Sequence, residues 1–551
     1  MNDYPTRQYY TGNSSVHRRA VYKGIGLTDR DLNQPLIAVV NTFSEVCPGH
    51  HHLQSLVQSV KDGIWQEGAT PLEFSTISQC ATQTLGLDGI RYDLAARELI
   101  ALDIETIVET QLFDGLVIVT TCDKTIPGAL LAAARLDLPT VIVPGGIMRT
   151  GKLDGREVSL ADLDEKVFSG KIDSMPPEEI TRWENGVIPG DGACPIMGTA
   201  NTMQSLSEAL GVSLPFSSLQ IAGTASQKRL AKLAGNRIVQ LVRDNITFSR
   251  IATPQALQNM IKTAMALGAA SNSVVHMLAL SHDLGYQDEI NIHYISQVSR
   301  QVPCVSDTKP VGGYYLTYLS EAGGVPAVMS RIETKLSTGC STVTGQTIGD
   351  ICRLGAAELQ RSGSPVVRTI DDPVMENGGI IVLHGNLADS AVVRAFKHSK
   401  NRFEGTVKVY ESQQEAVEAV KSGSVLPGDA LVLRFMGPKG GPGMPDCFGV
   451  SAAVVGAGLE ETVAVVTDGR FSGFAKGVGV CQICPEAASG GPLAKVRTGD
   501  RIVIDTQNGS IDDLAADFDQ RPVVPAPDRH EKGMLRIYSM IAQEANRGAR
   551  L

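Results

Sequence analysis

The chain has 551 residues, of which 43% are hydrophobic, 20% are charged and 56 are glycine. This composition is that of a folded protein with two or more domains and large cores. The net charge of −10 and the 5% of aromatic residues argue against a nucleic-acid or anionic-membrane partner. No apolar signal segment or membrane span is evident, so we expect a cytoplasmic protein.

The first two-thirds of the chain alternate strand and helix patterns. Four apolar runs are typical of buried strands: "PLIAVVNTF", "LEFSTIS", "GLVIVTT" and "PTVIVPGG". The first helices are predicted at "HHLQSLVQSVKDGIWQEG", "YDLAARELIALDIETIVETQ" and "PGALLAAARLD". Later ones are predicted at "ANTMQSLSEALGV", "ATPQALQNMIKTAMALGAASNSVVHMLALSHDLG" and "TVTGQTIGDICRLGAAELQ". This alternation predicts a parallel sheet with helices on both faces, that is, an α/β/α domain.

After about residue 365 the pattern changes to short strands divided by glycine and aspartate turns. The predicted strands lie in "GGIIVLHGNL", "GTVKVYES", "GDALVLRF", "TVAVVTDGRF" and "GDRIVIDTQNGSID". We therefore predict a large α/β domain of residues 1–365 and a smaller β-rich domain, a barrel or sandwich, of residues 366–551. The closing "KGMLRIYSMIAQEANRGARL" is predicted to be a helix.

Three reactive side chains of different chemistry, Cys122, Asp123 and Lys124, follow the predicted strand "GLVIVTT". The carboxyl ends of parallel strands are where α/β proteins build their sites. Taken singly, these residues could be a core thiol, a helix cap and a solvated amine. Three together at a strand end favour a functional site.

Other loops add thiols and carboxylates. Cys194 lies in the glycine-rich "VIPGDGACPIMGTANT", and thiolates in loops are ligands of zinc and iron–sulfur sites. Cys481 and Cys484 form a lone CxxC pair, which is a weak metal signal. Asp446 in "FMGPKGGPGMPDCFG" could bind a hard cation, while Ser472 lies in the glycine-rich "VVTDGRFSGFAKG".

Long motifs along almost the whole chain resemble the dihydroxy-acid and sugar-acid dehydratases, a family of iron–sulfur hydro-lyases. They are "NTFSEVCPGHHHL", "GIRYDLAARELIA", "CDKTIPGALLAAARLDLPTVIVPGG", "GDGACPIMGTANTMQSLSEALGVSLP", "KPVGGYYL", "EAGGVPAVM", "GPKGGPGMP" and "VTDGRFSG". The resemblance implies an iron–sulfur cluster and Mg²⁺ as cofactors. It also implies a small hydroxy-acid substrate and a homodimer or homotetramer.

The resemblance also implies roles for individual residues. Cys122 and Cys194 correspond to cluster ligands, whereas Asp123 and Lys124, once carbamylated, correspond to Mg²⁺ ligands together with Asp446. Ser472 corresponds to the catalytic base. A soft thiolate suits iron and a hard carboxylate suits Mg²⁺, which explains why the two lie side by side.

The chain departs from the family pattern at three places. Many relatives have a third cluster cysteine where this chain has Gly49, so Cys47, Cys80 or a two-cysteine cluster are the alternatives. Where relatives have a metal-binding Asp-Gly, this chain has 79–81, "QCA", and Asp88 is the nearest carboxylate in sequence. Asp446 replaces a glutamate of many relatives.

We therefore predict a dehydratase that converts a 2,3-dihydroxy carboxylate to a 2-keto acid. The departures around the site favour a sugar acid slightly over a branched dihydroxy acid. An epimerase that uses the same enolate chemistry is one alternative, and a non-catalytic iron–sulfur sensor or scaffold is another.

Overall fold

The structure is a computed structural model that describes residues 5–396, 401–471 and 477–551. The strands are β1 (Leu36–Asn41), β2 (Thr70–Ser75), β3 (Gly115–Thr120), β4 (Thr140–Pro144), β5 (Gly151–Leu153), β6 (Arg156–Val158), β7 (Ile380–Gly385), β8 (Ala388–Arg394), β9 (Arg402–Tyr410), β10 (Asp429–Leu433), β11 (Ala464–Thr467), β12 (Val478–Cys484), β13 (Arg501–Asp505) and β14 (Ser510–Asp513).

The α-helices are α1 (Arg7–Tyr10), α2 (Val16–Gly24), α3 (Asp29–Leu32), α4 (Leu53–Gln66), α5 (Arg91–Gln111), α6 (Thr125–Leu136), α7 (Leu160–Phe168), α8 (Pro177–Gly186), α9 (Thr199–Ala209), α10 (Ala225–Arg243), α11 (Phe248–Ile251), α12 (Pro254–Leu267), α13 (Ser273–Asp283), α14 (Ile292–Gln301), α15 (Leu316–Glu321), α16 (Gly324–Arg331), α17 (Ile348–Ser362), α18 (Gln413–Lys421), α19 (Phe448–Gly456) and α20 (Gly533–Ile541). Short 3₁₀ helices include Ala81–Thr84 and Asp88–Ile90.

The N-terminal part is built on a parallel sheet with the strand order β2-β1-β3-β4. In register, Ile37 of β1 lies beside Gly115 of β3, and Leu36 lies beside Thr70 of β2. The residues of β1 and β3 are buried throughout, as expected for parallel strands covered by helices. The predicted α/β class is confirmed.

Helices α4 and α10 pack on each other through glycines. A Cβ built at Gly235 of α10 would overlap the carbonyl oxygen of Val60, and one built at Gly63 of α4 would overlap that of Lys232. Only glycine allows the two backbones to approach this closely. This contact fixes α4, whose N-terminal loop carries site residues.

The C-terminal part is a closed barrel with the strand order β10-β11-β12-β8-β7-β14-β13-β9. Its inside is filled by apolar side chains such as Val432, Val466 and Ile502. The barrel-like second domain is therefore confirmed, whereas the boundary at residue 365 stays a prediction. Within the described residues, no helix is long and apolar enough to cross a membrane.

Two sequence predictions about elements are wrong in detail. The long helix predicted over 252–285 is two helices, α12 and α13, because Gly268 ends the first in a left-handed conformation with φ +65°. The closing helix ends at Ile541. Strands β8 and β12 are not identified from the sequence. In β12 a glycine interrupts the apolar pattern.

The close contact between α4 and α10 gives a stability prediction. We expect Gly235→Ala to lower the unfolding free energy by about 1–3 kcal/mol, because the added methyl must push the backbones apart. Gly24→Ala is the control, since a Cβ there meets no atom within 4 Å. Thermal unfolding measures both; equal melting temperatures for the two variants would contradict this account of the packing.

Candidate active site

The carboxyl ends of three neighbouring strands bring cysteines together. Cys47 follows β1, Cys80 follows β2 and Cys122 follows β3. Because these strands are parallel and adjacent, their loops leave the sheet at one edge. Cys194 reaches the same place from the loop before α9, and the four cysteines line one cavity of about 130 Å³.

The thiols are close to one another. The sulfur atoms of Cys47 and Cys122 are 3.8 Å apart, and the thiol of Cys47 also hydrogen-bonds to that of Cys80. The hydrogen bond to Cys47 and burial raise the pKa of Cys80, while burial and the nearby Cys80 raise the pKa of Cys194. A bound cation would stabilise these crowded thiols in their deprotonated, thiolate form.

Gly49 explains how Cys47 enters this cluster. A Cβ built at Gly49 would overlap the sulfur of Cys122 and lie 3.5 Å from the sulfur of Cys47. A cysteine at position 49 would therefore point at the same spot. With glycine there, the space is open to the thiol of Cys47, two residues earlier in the loop.

Cys122 has an unusual backbone conformation. Its φ is +67°, in a region that non-glycine residues rarely occupy. Such strain persists where the surrounding structure fixes it, often at functional sites. The turn joins β3 directly to α6, so Cys122, Asp123 and Lys124 are held against the cavity rather than at a solvated helix end.

His50 is a neighbour that the sequence motifs did not single out. Its ligand nitrogen and the sulfur atoms of Cys47 and Cys122 lie within 4.8 Å of one another, a grouping that could hold a metal ion. Nδ1 of the buried His50 is 2.7 Å from the carbonyl oxygen of Thr42. The run of three histidines after Cys47 was the available signal in the sequence.

A buried ion-pair network lies next to the thiols. The Nζ of Lys124 is 2.8 Å from Oδ2 of Asp93, and Nη2 of Arg470 donates to the same oxygen at 2.9 Å. Burial alone would raise the pKa of Asp93, but the two cations outweigh it and lower that pKa. Asp93 was missed as a site residue because its motif reads as an ordinary helix start.

The predicted metal-binding carboxylates also converge here. Burial raises the pKa of Asp123, and the negative charges of Asp93 and Asp446 raise it further. Oδ2 of Asp446 accepts a hydrogen bond of 3.0 Å from the side-chain amide of Asn272. The other amide atom, Oδ1 of Asn272, is buried without a hydrogen-bond partner among the described residues.

Other sequence candidates lie elsewhere. Asp88 pairs with Arg91 and has a side chain that is 75% exposed, so it is not part of this site. Cys481 and Cys484 lie in barrel strand β12, and the two residues do not line the cavity. Ser472 lies outside the described residues.

The donor set fits the implied cofactors. Sulfur ligands around one cavity suit iron, and a neighbouring group of buried carboxylates suits a hard divalent cation. The orphaned oxygen of Asn272 is a further sign that a group is to be bound beside Asp446.

The Asp93 network gives a second stability prediction. We expect Asp93→Asn to destabilise the protein by roughly 3–5 kcal/mol, because it leaves Lys124 and Arg470 as buried cations without their shared carboxylate. Asp88→Asn, which removes an exposed carboxylate, should cost at most about 1 kcal/mol. Calorimetric melting of the two variants tests this, and equal losses would show that the network is not a stabilising one.

Comparisons with known proteins identify the family of the chain. The model of the dihydroxy-acid/6-phosphogluconate dehydratase N-terminal domain matches residues 34–351, and that of the C-terminal domain matches residues 365–549. Similar curated proteins are called dihydroxy-acid dehydratase. That of Pyrococcus abyssi is 39% identical over 538 residues, covering 96% of this chain and 97% of the relative.

Two further relatives carry the same name. The protein of Acetivibrio thermocellus is 40% identical over 541 residues, covering 96% of each chain. That of Ignicoccus hospitalis is 40% identical over 542 residues, covering 97% of each chain. With both domain models matched and relatives aligned along almost the full length, the chain belongs to the dihydroxy-acid/6-phosphogluconate dehydratase family and is a hydro-lyase.

Proposed function

We propose that the protein removes water from a short 2,3-dihydroxy carboxylate and releases the 2-keto acid, with an iron–sulfur cluster and Mg²⁺ as cofactors. The observation that carries this proposal is that four thiols, three of them after neighbouring parallel strands, line one cavity together with the carboxylates of Asp93 and Asp123. Soft and hard ligands then serve two different metals beside one substrate.

In this proposal Cys122, Cys194 and Cys47 hold the cluster. Cys47 is favoured as the third ligand because its sulfur lies 3.8 Å from that of Cys122 and occupies the direction in which a side chain at Gly49 would point. Cys80, the other alternative from the sequence, lines the same cavity.

Asp123, Lys124 and Asp446 are the proposed Mg²⁺ ligands. For Lys124 this role requires carbamylation, and a carbamate would be repelled by Asp93, which lies 2.8 Å from the amine. Lys124 must therefore leave its ion pair before it can be modified. Arg470, which also pairs with Asp93, would keep that carboxylate neutralised.

When bound, the cluster and Mg²⁺ supply Lewis acidity toward the oxygen atoms of the substrate. Ser472 is the proposed base that accepts the proton from C2. The C3 hydroxyl takes up a proton and leaves as water, so that a C2–C3 enol remains. Loss of the enol proton from oxygen and gain of a proton at C3 give the 2-keto acid.

The residues that line the cavity determine which substrates it can bind. Besides the thiols and acids, the lining includes the apolar side chains of Met148, Leu160, Ile188 and Ile196. Apolar walls accommodate an alkyl group, while polar side chains in the same lining, among them Gln79, Thr82 and Asn201, offer partners to hydroxyls. Because similar proteins are called dihydroxy-acid dehydratase, we put a branched dihydroxy acid first. A sugar acid is second, favoured by the altered residues at 49 and 79–81.

We also propose a cytoplasmic location and a homodimer or homotetramer. Thiols that must stay reduced to bind a cluster suit a reducing compartment. Support for association comes from exposed apolar side chains on and next to α2, with Val21 68% exposed and Ile25 66% exposed.

An anaerobic substrate panel tests the proposed function. We expect 2-keto acid from 2,3-dihydroxy acids with alkyl groups, and slower or no reaction with aldonic acids. Asp446→Ala should lower the rate by more than about 100-fold, since even residues behind metal ligands contribute about 10–100-fold. Asp288→Ala, which removes an exposed carboxylate that does not line the cavity, is the control. Turnover without any divalent metal would contradict the Mg²⁺ assignment, and no keto acid from any member of the panel would contradict the proposed reaction.

The proposed role of Ser472 gives a separate prediction. If its hydroxyl accepts the C2 proton, Ser472→Ala should slow turnover by roughly 10²–10⁴-fold while folding and metal content stay normal. Exchange of the C2 proton with deuterated water should stop in the same variant. The exposed Ser489 provides the control substitution Ser489→Ala. Near-full turnover by Ser472→Ala would mean that the base lies elsewhere.

A further inference from the structure

The N-terminus of helix α9 opens onto the cavity. Gly198, Thr199, Ala200 and Asn201 all line it. The first backbone N–H groups of a helix have no acceptor within that helix, and they form the positive end of its dipole. Gly198, at the N-cap, has no side chain that could accept a hydrogen bond from them. An anion in the cavity would therefore be a suitable partner for these amides.

The side chain of Thr199 is a second, independent sign of a ligand at this place. Thr199 is 2% exposed, and its hydroxyl has no hydrogen-bond partner among the described residues. A buried hydroxyl usually has a partner, which can be a bound ligand. Ser205, further along α9, also has a buried hydroxyl without a partner in the described part of the chain, but it does not line the cavity. Thr199 combines both properties.

The loop that carries Cys194 is tied to the same end of α9. The side-chain amide of Asn201 donates to the carbonyl oxygen of Cys194 and, at 2.9 Å, to that of Ile196. Oδ1 of Asn201 accepts a hydrogen bond of 2.8 Å from Gln204, which fixes its side chain. Cys194 is therefore held at the positive end of α9, and a cluster bound to its sulfur would lie there too.

We propose that the hydroxyl of Thr199 and the first backbone amides of α9 donate hydrogen bonds to sulfur atoms of the iron–sulfur cluster. This inference rests on the cluster of the proposed function. The carboxylate of the substrate is the rival ligand, since helix N-termini also bind oxyanions. The cluster is favoured because one of its proposed ligands, Cys194, belongs to the loop that Asn201 ties to this helix end.

Hydrogen bonds to the sulfur atoms are one of the determinants of the reduction potential of a cluster. They favour the reduced form, because that form carries one more negative charge than the oxidised form. The loss of a donor should therefore lower the potential. Thr199→Val removes the hydroxyl but keeps the branched shape of the side chain, whereas Thr199→Ser keeps the hydroxyl and is the rescue variant.

The first test is a reductive titration of the holoprotein, prepared anaerobically and free of substrate, with dithionite and redox mediators. We expect Thr199→Val to change the ratio of reduced to oxidised cluster about tenfold, which is a potential about 59 mV lower for a one-electron couple. Thr199→Ser should stay close to the wild type. Ser205→Ala removes an unpartnered hydroxyl from the same helix outside the cavity lining, so this control should keep the wild-type potential.

The second test detects the hydrogen bond itself. After exchange into deuterated water, electron–nuclear double resonance of the reduced cluster should show couplings to exchangeable deuterons. Thr199→Val should lose one of these couplings, while Thr199→Ser and Ser205→Ala should retain all of them. An unchanged potential or unchanged couplings in Thr199→Val would overturn the proposal. A wild-type cluster without any coupled exchangeable deuteron would overturn it without recourse to a variant.

These outcomes are distinct from a failure of the proposed function. Wild-type protein that forms no iron–sulfur cluster would overturn the cofactor assignment and the role of Thr199 together. Weaker substrate binding by Thr199→Val, with the potential and the couplings of the wild type, would overturn only this inference and assign the donors of α9 to the substrate carboxylate.

Discussion

The carboxylate of Asp93 connects the two parts of the protein at the site. It lies at the start of α5 and pairs with Lys124, which follows β3 of the sheet, and with Arg470, which follows β11 of the barrel. All three side chains are at most 4% exposed. Because leaving any one charge unpaired in this interior would be costly, the loops after β3 and β11 must stay in register with each other. The cavity lies beside this contact.

The dense network also constrains the neighbouring ligands. Asp123 is adjacent in sequence to Lys124, and Asp446 forms a backbone bridge with Arg470. Each of these two carboxylates is therefore adjacent to a cation, Lys124 or Arg470, that forms an ion pair with Asp93. The raised pKa values of Asp123 and Asp446 follow chiefly from burial, which the two cations only partly offset. Such a carboxylate group favours a further positive charge, and a divalent cation would supply it.

Much of this could be predicted from the sequence, and the exceptions have physical reasons. Strand ends mark sites in parallel sheets, so Cys122, Asp123 and Lys124 were identifiable from one apolar run. The local pattern does not reveal the order of the strands, so Cys47 and Cys80 appeared as competing ligands. In the structure β1 and β2 are neighbours, and both thiols line the same cavity. Asp93 could not be identified as a site residue from the sequence for a related reason. Its partner Arg470 is 377 positions away, and nearness in sequence pointed to Asp88, which faces solvent.

The same reasoning shows what the departures from the family pattern have in common. The resemblance implies a cysteine at position 49, where the thiol of Cys47 uses the space of the glycine. It implies a carboxylate at 79–81, where this chain has the thiol of Cys80 in the cavity. The first change leaves the number of thiols unaltered and the second adds one, while Asp93 is a carboxylate that is already neutralised by two cations. In the proposed Mg²⁺ site, Asp123 and Asp446 therefore depend on a carbamylated Lys124 for the third charged ligand, because Asp93 is already paired with two cations.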